Sequence, residues 1–226
     1  HILAARFLSH FVAKDVPWVH IDLAAAERKG GLAHVPTEFT GFGVRYALLP
    51  MSDQPVRTRV KTARGELAFQ DYFVREHCRP RVQGFRFAGV RSATPSPALQ
   101  KLMRSGKVRG VIICPSNPFV SIAPILAIPA MRAWLRARDF PVVAVSPIVG
   151  GKAVKGPTAK MMQELGLAVT SATVAERYGD LLDGYVVDAG DAAGVPGRVH
   201  EAATLMTSAG DKETLARTVL SFADSI

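Results

Sequence analysis

Two short apolar runs do most to limit what this chain can fold into. One is Val111-Ile112-Ile113-Cys114 and the other is Val142-Val143-Ala144-Val145. Both are continuous rather than alternating, which suits strands buried on both faces, as in a parallel sheet. Each stops at small polar residues beside proline: Ser116-Asn117-Pro118 after the first, and Ser146-Pro147, then Ile148-Val149-Gly150-Gly151, after the second. Open α/β sheets bind ligands at the carboxyl ends of their strands. The two exits therefore form either a ligand crevice or a pair of ordinary strand-to-helix loops. Sequential strands joined by a helix usually adjoin through a right-handed crossover, so the two runs are expected to be parallel neighbours.

Strands and helices alternate through the second half of the chain. Helices are expected over residues 97–103, 122–135 (interrupted at Pro129), 158–165 between Gly156-Pro157 and Gly166, 174–178 and 212–223. Strands are expected over 184–187, ending at Asp188, and over 198–206. Earlier, the pattern predicts strands over 44–49, 56–62 and 82–90, a hairpin-like turn at 63–66 and a helix over 69–77. Residues 1–12 and 21–29 carry helical periodicity, and 32–43 reads as loop. The alternation argues for an α/β layer fold, here one domain over residues 1–226.

The formal net charge of +9, from 28 Lys and Arg against 19 Asp and Glu, invites a nucleic-acid reading. The charges are nevertheless spread over several groups, from Arg28-Lys29 to Lys160, with no aromatic-interleaved platform, zinc-finger spacing or basic zipper. No nucleic-acid partner is expected, and the excess suits polyanionic small molecules. No apolar run is long enough to span a membrane. Cys78 and Cys114 lack a nearby partner cysteine and read as reduced thiols of a cytoplasmic protein. The six histidines show no metal-ligand spacing, and neither a nucleophile elbow nor a dinucleotide fingerprint is present.

Two stretches carry candidate chemistry. Gly150-Gly151-Lys152-Ala153-Val154-Lys155-Gly156-Pro157-Thr158 comes after a buried strand and leads into a helix. Glycines admit a ligand to the backbone, a helix start offers free amides to an anion, and Lys152 and Lys155 add charge. It is not a P-loop, because Pro157 stands where that motif needs Lys. Ser52 and Asp53 lie just past a strand end, where Asp53 could accept from a base or ribose, bind a metal through water, or fix an Asx-turn. Asp180, Asp183 and Asp188 read as residues that cap and flank a strand.

Taken together, the chain resembles the 2-phospho-L-lactate transferase family of deazaflavin-coenzyme biosynthesis. The matching blocks are Leu49-Pro50-Met51-Ser52-Asp53, Phe69-Gln70-Asp71, Pro115-Ser116-Asn117-Pro118 with Ser121-Ile122-Ala123-Pro124-Ile125, Val145-Ser146-Pro147-Ile148-Val149-Gly150, Lys155-Gly156-Pro157 and Thr204-Leu205-Met206-Thr207-Ser208. The resemblance implies a Rossmann-like three-layer α/β fold with a mostly parallel sheet. It implies transfer of a phospholactyl-type or phosphoenolpyruvyl-type group, from a guanosine-diphosphate-activated three-carbon acid to the deazaflavin Fo, with release of GMP and the help of Mg²⁺. It places Ser116, Asn117, Pro118, Ser146, Gly150, Gly151, Lys155, Ser52 and Asp53 around the ligands. Asp53 is the one carboxylate near the expected crevice that could serve the metal, and no general base can be named. A homodimer is compatible with this reading.

The chain departs from the family in having Ala4 where Arg is expected, Gln54 where a second Asp is usual, and a longer stretch over 32–45. The family's N-terminal glycine-rich loop and metal-binding aspartates lie upstream of what corresponds to His1, so the expectation is the C-terminal two-thirds of a larger transferase. The alternative is a non-catalytic regulator of the same superfamily that binds a nucleotide or nucleotide sugar.

Overall fold

The computed structural model describes residues 18–20, 46–154 and 156–226. The expected helices over 1–12 and 21–29, the loop over 32–43, and Lys155 lie outside the described residues. The first strands, β1 (Trp18–His20) and β2 (Tyr46–Leu48), pair in parallel. They are followed by an antiparallel sheet of β3 (Arg57–Thr62), β4 (Gly65–Ala68) and β5 (Val82–Ala88), in the order β4-β3-β5. Val60 and Val82 point from this sheet into the main core and are fully buried. Between β4 and β5 the chain makes one π-helical turn, Asp71–Arg75. That is shorter than the helix expected over 69–77, because His77 and Cys78 both take left-handed φ and end it, and the Cys78 amide donates to the Tyr72 carbonyl at 2.9 Å.

Helix α1 (Pro97–Met103) begins at Ser96, whose hydroxyl accepts from the Leu99 amide, with Pro97 at the first helical position. Strand β6 (Val111–Ile113) leads into a π-turn (Pro118–Ile122), helix α2 (Ala123–Leu126) and helix α3 (Pro129–Arg136). Strand β7 (Val142–Val145) is followed by a hairpin of β8 (Ile148–Val149) and β9 (Lys152–Ala153), then helices α4 (Thr158–Glu164) and α5 (Ser171–Tyr178). Strands β10 (Gly184–Asp188) and β11 (Val199–Ala202) and helix α6 (Ala209–Asp224) complete the chain.

Strands β11-β10-β7-β6 form one all-parallel sheet. The two apolar runs are neighbours in it, with Val111, Ile112 and Ile113 beside Val142, Val143 and Ala144. The continuous apolar character of β7 has a direct cause, since all four of its residues are buried. Val143, Val145 and Val186 face Leu215, Val219 and Ala223 of α6. Val142, Ala144, Tyr185 and Val187 face the larger core built by α2 to α5 and the antiparallel sheet. This is a three-layer α/β arrangement. Burial of each branched side chain contributes about 1.5–3 kcal/mol, so the central strands carry much of the stability. The close approach of α6 requires Gly184 at the start of β10: a Cβ there would lie 2.6 Å from both Phe222 and Ile226.

The helical stretch expected over 122–135 divides in the structure. Its two arms, Pro118–Leu126 and Pro129–Arg136, meet at 82°. Pro129 pushes Ile128 into an extended conformation (ψ 117°), which stops the first arm and starts the second. Among the described residues no single helix is long and apolar enough to cross a membrane. Helix α6 starts with a capping box. The Ser208 hydroxyl accepts from the Asp211 amide at 3.1 Å, and the Asp211 carboxylate accepts from the Ser208 amide at 2.7 Å.

Candidate ligand site at the carboxyl ends of the parallel strands

Because β6, β7 and β10 are parallel and in register, the segments after them leave the sheet along one edge. Three loops meet there: Cys114 to Asn117 after β6, Ser146 and the β8–β9 hairpin after β7, and Ala189 to Gly194 after β10.

After β6, Asn117 takes an extended conformation ahead of Pro118 and caps the π-turn. Its side-chain oxygen accepts from the amides of Phe119 (2.9 Å) and Val120 (3.2 Å). Its amide nitrogen lies 3.3 Å from the Met161 sulfur, which ties this exit to α4. The second N–H of that amide has no partner among the described residues. Ser116 is half-buried, and its hydroxyl has no hydrogen-bond partner among the described residues. Pro118 is buried at the first position of the π-turn.

After β7 the arrangement differs. Ser146 is 1% exposed, and so is Ser171, the first residue of α5. Their hydroxyls lie 2.8 Å apart, and the Ser146 oxygen also accepts from the Ile148 amide at 3.1 Å. The Ser146 backbone amide donates to the Val186 carbonyl at 2.8 Å. Ser146 is thus committed within the fold and fixes the start of the hairpin. Tyr185, on the strand beside it, has a fully buried hydroxyl that meets no partner at good hydrogen-bond geometry among the described residues and has the Ser146 side chain as its polar neighbour. Burial drives that phenol well above its ordinary pKa.

Gly150 and Gly151 form the tip of the hairpin, with φ of 55° and 71°. Two consecutive positive values define the two-residue turn that matches strand twist, which glycine adopts without steric cost. The sequence pattern presents these residues as a loop running into a helix, and the structure inserts a two-stranded ribbon before α4. Lys152 and Ala153 lie on the returning strand of that ribbon, and Pro157 caps α4 without a side-chain bond. The Gly150 amide donates to the Asp191 carboxylate of the third loop at 2.8 Å. That loop is itself braced. Asp188 accepts from the amide (2.8 Å) and hydroxyl (2.9 Å) of Thr204, and Glu201 accepts from the Gly190 amide at 3.0 Å.

The loop carrying Ser52 and Asp53 has its hydrogen bonds elsewhere. Ser52, rather than Asp53, makes the side-chain turn, accepting from the Gln54 amide at 3.2 Å and donating to the Gln54 side chain at 2.8 Å. Gln54 in turn accepts from the Thr94 amide at 3.1 Å, and the Met51 carbonyl accepts from the Ser96 amide at 3.1 Å. Asp53 is exposed. Among the described residues no three His, Cys, Asp or Glu side chains converge as a metal would require. Asp180 and Asp183 are structural: Asp180 pairs with Arg136 at 2.8 Å, and Asp183 holds Arg138 at 2.7 Å and the Val142 amide at 2.8 Å.

Sequence reasoning missed Ser171 and Asp191. Ser171 comes directly after Thr170, which caps α5, and reads as ordinary helix-start chemistry. Asp191 sits in a small-residue loop 41 positions from the amide that it holds. Thr204, by contrast, opens one of the blocks that carry the resemblance.

A parallel sheet whose strand exits gather small polar residues and a glycine turn defines an α/β protein of the class that binds ligands at the carboxyl edge. Within that class, the family model for 2-phospho-L-lactate transferase CofD matches residues 23–218, and the chain belongs to that family. It is 42% identical over 191 residues to the 2-phospho-L-lactate transferase of Methanosarcina acetivorans, covering 82% of this chain and 61% of that protein. It is 38% identical over 197 residues to the phosphoenolpyruvate transferase of Kitasatospora aureofaciens, covering 81% and 60%. The chain spans about three-fifths of the length of these curated relatives. Among solved structures, a UPF0052-family protein of Bacillus halodurans superposes with a TM-score of 0.53 at 13% identity, over 78% of this chain and 62% of that one, a likeness of fold.

Proposed function

We propose that this chain serves the transfer of a phospholactyl-type or phosphoenolpyruvyl-type group from a guanosine-diphosphate-activated donor to the deazaflavin Fo, with release of GMP. The observation that carries this reading is the family match over residues 23–218. The names of the relatives support both three-carbon groups, since 2-phospho-L-lactate and phosphoenolpyruvate transferases match at similar identity.

The reaction requires no protein nucleophile. The primary hydroxyl of Fo attacks the donor phosphorus next to the three-carbon acid, a new P–O bond forms, the hydroxyl proton leaves, and the bond to GMP breaks. Positioning and neutralisation of charge supply most of the acceleration in such phosphoryl transfers. In this reading the spare N–H of Asn117, the Ser116 hydroxyl, the hairpin-tip backbone and Lys152 contact the ligands. Ser146 and Ser171 hold the hairpin in place behind them. Mg²⁺, when bound, would neutralise phosphate charge.

The test is to incubate the protein with Fo, each activated donor in turn and Mg²⁺, and to follow GMP and the modified deazaflavin by chromatography. Release of GMP that depends on Fo is expected. Failure of Fo to bind, read from its fluorescence, together with absence of GMP would overturn the reading in favour of a nucleotide-binding regulator.

A further inference from the structure

The hairpin tip carries a carboxylate of the protein itself where a ligand anion would be expected. The Gly150 N–H, in a residue of positive φ, donates to Asp191 Oδ2 at 2.8 Å. Asp191 has no cation at ion-pair distance among the described residues, although Lys152 stands two positions along the hairpin. Its loop is held rigidly enough to aim it: the Asp191 amide donates to the Asp188 carbonyl at 3.0 Å, Glu201 takes the Gly190 amide, and Thr204 grips Asp188. The contact joins the loop after β7 to the loop after β10 across the top of the sheet.

From this geometry we propose that Asp191 is a positioning residue that latches the glycine hairpin and competes with an incoming phosphate for the Gly150 amide. The proposal rests on the reading of the hairpin as part of the ligand site. A carboxylate and a phosphate oxygen seek the same donor, and they repel each other. Asp191 therefore holds the tip in place while no anion is bound, and a ligand must displace it or share the donor. The chemical class recognised is a phosphate or diphosphate group, and the charge at residue 191 sets how tightly it is held.

The experiment uses Asp191→Ala and Asp191→Asn in the full chain, with inorganic pyrophosphate as the probe. The Ala variant has no acceptor, so Gly150 amide exchange, followed by NMR, should speed up by about tenfold, in line with the loss of one charge-assisted hydrogen bond. The Asn variant keeps an acceptor and loses the charge. Its affinity for pyrophosphate in calorimetry should rise by about three- to tenfold, and the gain should shrink at high salt. If the protein transfers, the Asn variant should show a lower KM for the activated donor at unchanged kcat, a split that a merely structural contact would not give. Gly150 exchange unchanged by Asp191→Ala, or pyrophosphate affinity not raised by Asp191→Asn, would overturn the proposal. Absence of any transfer by the unaltered protein would instead overturn the proposed function, and the exchange and pyrophosphate measurements would still decide the role of Asp191.

Discussion

The exits of β6 and β7 are built from the same ingredients and finish in different states. Each leaves a parallel strand through a serine close to a proline, and the two strands are hydrogen-bonded neighbours, β7 fully buried and β6 half-buried at the sheet edge. At β7 the serine is sealed, 1% exposed, with its hydroxyl shared between Ser171 and the Ile148 amide. At β6 the serine is half-buried and keeps its hydroxyl unengaged among the described residues, while Asn117 organises the turn. One exit acts as a strut and the other presents donors. The difference arises from the residues on the C-terminal side of each serine. Pro147 leads into a ribbon that folds back over Ser146, whereas Asn117-Pro118 starts a helical turn that carries the chain away from Ser116.

The largest expected effect comes from breaking the strut. Ser146→Ala leaves the Ser171 hydroxyl and the Ile148 amide without a partner in a dry environment. An orphaned buried polar group costs about 1–3 kcal/mol, so thermal unfolding should begin several degrees lower. A melting curve identical to the unaltered protein would show that the β7 exit is not held by this contact. Next comes Asn117→Ala, which removes the acceptor for two amides of the π-turn. Loss of such a cap costs about 0.5–2 kcal/mol. If Asn117 also meets a ligand, the affinity for Fo or donor, measured by calorimetry on the folded variant, should fall by a further ~1–3 kcal/mol. A stability loss with ligand affinity unchanged would make both exits structural and dissolve the contrast.

How much of this could be read from sequence depends on the length of the pattern. The run Val142 to Val145 announces a buried parallel strand because all four side chains are apolar, and no exposed strand tolerates that. Pro97 and Ser96 mark the start of α1 by capping chemistry alone. The strands of the hairpin have two residues each, too few to show any period, so only the Gly150-Gly151 pair signals them. The state of the two serines was not legible. Ser116 and Ser146 differ in what packs over them, and Ser171 arrives from 25 positions further along. The Gly150 latch was invisible for the same reason, because a contact between distant loops leaves no local trace.

A smaller effect of opposite sign is expected on the strut side. The buried Tyr185 hydroxyl meets no partner at good hydrogen-bond geometry among the described residues, only the neighbouring Ser146 side chain, so Tyr185→Phe removes a poorly satisfied, desolvated polar atom and keeps the ring that fills the core. The change should be neutral or stabilising by up to about 1 kcal/mol, seen as a melting temperature that holds or rises. A clear loss would mean that the hydroxyl is satisfied, and that the sealed exit extends from Ser146 to β10.

The smallest effect on stability, and the sharpest test of the contrast, belongs to Ser116→Ala. Its hydroxyl has no partner among the described residues, so no described group is orphaned when it goes. Substitutions away from such features fall within about 0.5 kcal/mol, and the melting curve should be unchanged. Ser146→Ala, by comparison, should weaken the fold and affect ligands only through the hairpin. If the β6 exit presents its donors to a ligand, Ser116→Ala should weaken binding of the activated donor by about 0.5–1.5 kcal/mol, the net worth of one neutral hydrogen bond. The two serines would then separate cleanly, one moving stability and the other affinity. If Ser116→Ala left both quantities unchanged, the open exit would have no role in recognition, and the ligand donors would have to be sought along the hairpin and the loop after β10.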